Sequence, residues 1–100
     1  MDMQTDDFEL TPATTGIHGF WLDLGSRVEK DSGWVRIEWL LANRLELVTS
    51  STTEIGALYR NPQDNSLWHY WLIAPHMAQG GPPALDRIDS QRARELFGEF

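Results

Sequence analysis

The chain has 100 residues, 41% of them hydrophobic and 11% aromatic, with fifteen acids against eight bases and a net charge of −7. That length suits one domain, and a chain this apolar with five tryptophans buries a core instead of staying disordered. The absence of cysteine excludes disulfides and thiolate chemistry, no apolar run approaches the roughly 20 residues that cross a bilayer, and the acid excess disfavours nucleic-acid phosphates and acidic membranes.

With no basic-then-apolar leader at its start, the expectation is a soluble, cytoplasmic protein whose charged partner is a basic protein. Plain solubility is the commoner use of such a charge. Residues 1–12 carry Asp2, Asp6, Asp7 and Glu9 without a base and read as a flexible acidic arm. Phe8 and Leu10 are its large apolar anchors apart from the methionines. Residues 13–100 are assigned to a single α+β domain.

Ile17 to Leu24 mixes β-branched and aromatic residues between Gly16 and Gly25, which predicts a strand, and Arg27 to Lys30 returns after a Gly-Ser turn as a first hairpin. His18 has no second histidine at a ligand spacing, so it reads as a strand residue before a metal ligand. Asp31 and Ser32 supply capping side chains for a helix from about Gly33 to Val48. At helical spacing Trp34, Ile37, Leu40, Leu41, Leu45 and Val48 share a side that packs on a sheet.

Two residues depart from that division. Arg44 projects near the middle of the apolar stripe, and Trp39 projects on the side shared by Asn43 and Glu46. For Arg44 the plain reading is a stem on apolar surface with its guanidinium reaching water or helix carbonyls; the sharper one is an ion pair with Asp86 or Asp23. For Trp39 the plain reading is burial under the N-terminal arm or another element, and the sharper one is an exposed anchor for a protein partner. The plain reading is favoured in both cases.

After a Ser/Thr-rich connection, Thr49 to Glu54, the stretches Ile55 to Arg60 and Leu67 to Ile73 flank the turn formers Asn61, Pro62, Asp64 and Asn65, the clearest hairpin in the chain. In its second strand Trp68, Tyr70 and Leu72 point one way and Leu67, His69, Trp71 and Ile73 the other. Bulk on both faces marks a central strand, or one with a face against a partner. Ala74 to Pro83 is too rich in glycine and proline for helix or ladder and reads as an ordered loop across an end of the sheet. Pro82 and Pro83 lack the backbone donors of a phosphate cradle, and no Lys-Ser/Thr follows Gly80-Gly81. A short strand, Ala84 to Ile88, leads to a helix from about Gln91 to Phe97, capped by Asp89-Ser90 and ended by Gly98.

His18, His69 and His76 lie in separate segments, and nucleophile-elbow, Walker, calcium-loop and zinc-ribbon spacings are missing. A catalytic site would have to assemble His69 or His76 with Asp64, Glu54 or Asp86. The order Leu58-Tyr59-Arg60-Asn61-Pro62, Asp64, Leu67-Trp68, Met77, Gly80-Gly81-Pro82-Pro83 and Leu85, preceded by Arg36-Ile37-Glu38-Trp39-Leu40, resembles immunity protein 27, a family of bacterial polymorphic-toxin immunity proteins. The similarity runs from about Gly19 to Leu96. Asn65 stands where the family pattern has a turn glycine, Ala78 where it has histidine and Gln79 where it has the first glycine of the loop. A loop histidine is therefore not carried over.

The resemblance implies an antitoxin that binds a cognate toxin domain and blocks its active site or substrate surface. The acid excess suits a basic partner, a nuclease for instance. The expected architecture is an antiparallel four- to five-stranded sheet with one long helix on a face and a short C-terminal helix. The expected protein is not an enzyme and needs no cofactor or metal. Trp39, Glu38, Glu46, Asp64, His69 and Trp71 are the candidate partner-binding residues. The runner-up is a small hydrolase or ligand-binding domain using the 74–83 loop with His69 or His76; a third reading is a scaffold or regulatory subunit.

Overall fold

The computed structural model describes residues 8–51, 55–73 and 81–100. Along them run β1 (Gly16–His18), β2 (Trp21–Asp23), β3 (Val28–Lys30), α1 (Ser32–Asn43), β4 (Glu46–Ser50), β5 (Ala57–Arg60), β6 (Leu67–Leu72), β7 (Pro83–Ile88) and α2 (Ser90–Phe97). The larger sheet is antiparallel, five-stranded and ordered β1-β7-β6-β5-β4, while β2 and β3 form a two-stranded sheet of their own. This is the expected α+β architecture, with β6 at the centre of the sheet as its two bulky faces predict.

The expected first strand, Ile17 to Leu24, is instead two strands in two sheets. At Gly19 the chain leaves the larger sheet, its N–H held by the Pro83 carbonyl at 2.8 Å. A side chain there would sit 3.0 Å from both Trp34 and Pro83, so glycine lets the chain pass close to them without displacing either. Beyond it β2 pairs with β3, and Trp21 packs edge-on to Trp34 with centroids 4.6 Å apart.

Asp31 caps α1 as the sequence predicts, accepting from the Trp34 N–H at 2.9 Å. The helix stops at Asn43, however, well short of Val48. The N–H groups of Arg44 and Leu45 both donate to the Leu40 carbonyl, closing the helix end. Residues 46–50 then continue as β4, where the register slips between Leu47 and Thr49 against β5. That bulge breaks strict alternation, which is why Leu45 and Val48 resembled further turns of helix.

Trp34, Ile37 and Leu40 are the buried residues of α1, which packs chiefly over β1 and β7. Ile17, Ile37, Leu40, Leu45, Trp68 and Leu85 form the core cluster. Each such side chain contributes about 1.5–3 kcal/mol by leaving water. On the opposite face α2 lies against β6, with Ala93 fully buried. Asp89 caps that helix by accepting from the Arg92 N–H at 2.7 Å, and Gly98, at φ 74°, closes it in a conformation suited to glycine.

Arg44 does form an ion pair, but its partner is neither Asp86 nor Asp23. It is Glu9, whose carboxylate lies 2.6 Å from the guanidinium. The same guanidinium covers the Trp39 ring at 4.7 Å. Phe8 is buried against the same indole, ring centroids 5.7 Å apart, and Arg36 donates to the carbonyls of Phe8 and Glu9 at 3.0 and 2.8 Å. Trp39 is thus covered by the N-terminal segment, its plain reading.

Candidate functional site

The β5–β6 turn sets which way the residues of β6 face. Asn65 takes φ 61°, the left-handed conformation that asparagine tolerates, in the place of the expected turn glycine. Asp64 accepts from Ser66 N–H and Oγ–H at 2.9 and 2.6 Å, and Ser66 Oγ accepts from Trp68 Nε1–H at 2.9 Å. These bonds from Ser66 hold the Asp64 carboxyl below the ordinary value of 3.8. With Trp68 pinned in the core, His69 and Trp71 project from the opposite face, away from α1.

The antiparallel register brings two other strands to that face. Asp86 of β7 lies opposite His69 and is flanked on its other side by Gly16 of β1, while His18 and Trp71 flank Ala84. Trp71 Nε1–H donates to Asp86 Oδ2 at 2.7 Å, and His18 Nε2 lies 3.3 Å from Asp86 Oδ1. The His69 ring stacks on Trp71 at 6.3 Å, meets Phe97 of α2 edge-on at 5.7 Å and directs Nε2–H to the Ile55 carbonyl. A side chain at Gly16 would come within 2.7 Å of Asp86 Oδ1. Glycine there leaves the carboxylate room to lie across the neighbouring strand.

Of the six candidate residues, this face unites His69 and Trp71, and Glu46 belongs to it at the far edge, where it pairs with Arg60 at 3.0 Å. Glu38 and Trp39 lie on α1, across the sheet, with Glu38 paired to Lys30 at 3.0 Å. Asp64 is at the turn, where a cleft of about 390 Å³ opens between residues 64–67 and 87–90. Sequence reasoning named Asp86 as a partner for Arg44 or for a catalytic histidine, and His18 as a strand residue, but placed neither in this cluster. The bulk on both faces of β6 pointed to the face; the pairing of β1 and β6 around β7 completes it. Glu54 and His76 lie outside the described residues, as does most of the 74–83 loop.

A carboxylate framed by an indole and two imidazoles can bind cations and stack on planar groups. Among the described residues no three histidine or acidic side chains gather as a metal site. The chain is a small α+β domain with α1 over the core on one sheet face and α2 beside this cluster on the other. The family model for immunity protein 27 matches residues 23–89, two-thirds of the chain, and the chain belongs to that family. Membership implies an antitoxin and hence a cognate toxin as partner. No curated protein and no solved structure matches the chain.

Proposed function

We propose that the protein neutralises its toxin by stoichiometric binding in the cytoplasm, covering the active site or substrate surface of a basic domain, with a nuclease as the leading candidate. The observation that carries this reading is a net charge of −7 on a member of an immunity family. An acidic protein meets a basic one quickly because their fields steer the encounter, and aromatic groups then hold the complex. His69 and Trp71, with Glu46 on the same face, supply such a surface.

The test is binding of an inactivated form of the toxin encoded beside this chain, together with protection of cells that express the active toxin. We expect affinity tighter than micromolar, association that slows as salt rises, and protection without an export signal on the immunity protein. Failure of both micromolar binding and protection overturns the proposal. Protection only after export refutes the cytoplasmic location.

A further inference from the structure

We propose that Asp86 is the receptor for a guanidinium or ammonium group on the toxin, with Trp71 as the flat wall beside it; this rests on the binding role proposed above. Asp86 is one-third exposed, and among the described residues its side-chain contacts are the Trp71 indole N–H and His18, neither a lysine nor an arginine. Trp71 holds one carboxylate oxygen at 2.7 Å, which restrains the group before any partner arrives. The other oxygen faces the half-exposed His18 and the space that Gly16 leaves open.

Six other acids are committed differently. Glu29, Glu38, Glu46 and Glu95 already have basic partners, while Asp31 and Asp89 cap helices. Asp86 therefore combines a held geometry, an aromatic wall and a charge that no arginine or lysine offsets among these contacts. A partner arginine fits that combination, since its planar group pairs with a carboxylate and stacks on an indole at once.

The test compares Asp86→Asn with the unaltered protein by calorimetry against the inactivated toxin at several salt concentrations. Asparagine retains an oxygen for the Trp71 N–H, so the fold is kept while the charge is lost. Binding should weaken about 10- to 100-fold and its salt dependence should become shallower. Glu29→Gln, which removes the same charge from the hairpin, should change affinity less than about twofold.

A second measurement needs no toxin. Agmatine, which presents a guanidinium group, should shift the Trp71 indole N–H resonance of the free protein, and Asp86→Asn should abolish that shift. Absence of the agmatine shift, or equal weakening by Asp86→Asn and Glu29→Gln, overturns the assignment of Asp86. Absence of toxin binding and of protection alongside a normal agmatine shift overturns the binding role proposed above and leaves the cation site standing.

Discussion

Replacing Asp64 with alanine removes the acceptor for two hydrogen bonds from Ser66, at 2.9 and 2.6 Å. Hydrogen bonds to a charged group are worth about 1.5–3 kcal/mol each, but Asp64 is exposed and water screens much of that. A total loss of about 2 kcal/mol follows, equivalent to about 8–16 °C in Tm for a domain of this size. Asp64→Asn, which retains an acceptor oxygen without the charge, should lose roughly half as much. The measurement is urea unfolding followed by tryptophan fluorescence between pH 7 and pH 3.

The sign of the pH effect is set by the folded Asp64 lying below its ordinary value of 3.8. Its contribution is complete above that value and fades as pH falls through the lowered folded one. The gap between the unaltered protein and Asp64→Ala must therefore narrow in acid. A difference under about 0.5 kcal/mol at pH 7, or a gap that stays constant down to pH 3, would refute the link from Asp64 through Ser66 to Trp68.

Phe8→Ala should cost about 2 kcal/mol, below the usual value for a core phenylalanine because the ring sits at the edge of the core, and should shift tryptophan emission to the red as Trp39 is uncovered; unchanged emission would count against the covering of Trp39 by Phe8. Asn65→Val should destabilise by about 1–2 kcal/mol, whereas Asn65→Gly should stay within about 0.5 kcal/mol, since only the branched side chain opposes a left-handed backbone. Thermal melts of the pair decide this, and equal melting temperatures would refute the conformational argument.

Features written in short range were legible. The caps at Asp31 and Asp89, the Asn61–Ser66 turn and the two-faced strand Leu67–Leu72 each follow from neighbouring side chains and backbone preferences. What escaped depends on distant partners. Gly19 looks like an ordinary strand interruption until Trp34 and Pro83 close on it, and Leu45 fits a helical stripe until Asn43 ends the helix. Glu9 could not be matched to Arg44, nor Asp86 to Trp71, because each pairing joins segments that only the tertiary fold brings together. Family resemblance reached the family without this geometry, since the order of short motifs survives where contacts are invisible.

The place of β7 has a consequence for synthesis. It lies between β1 and β6, so a strand made late in this sequence joins an early one to the middle of the sheet. The β5–β6 hairpin can form from local sequence alone, but among the described residues the strand that pairs with β1 is β7, which emerges only with residues 83–88. Asp86 and Trp71 likewise meet only then. On the proposed antitoxin role, a chain stopped before residue 83 is therefore expected not to protect cells, even though it retains α1 and the aromatic strand.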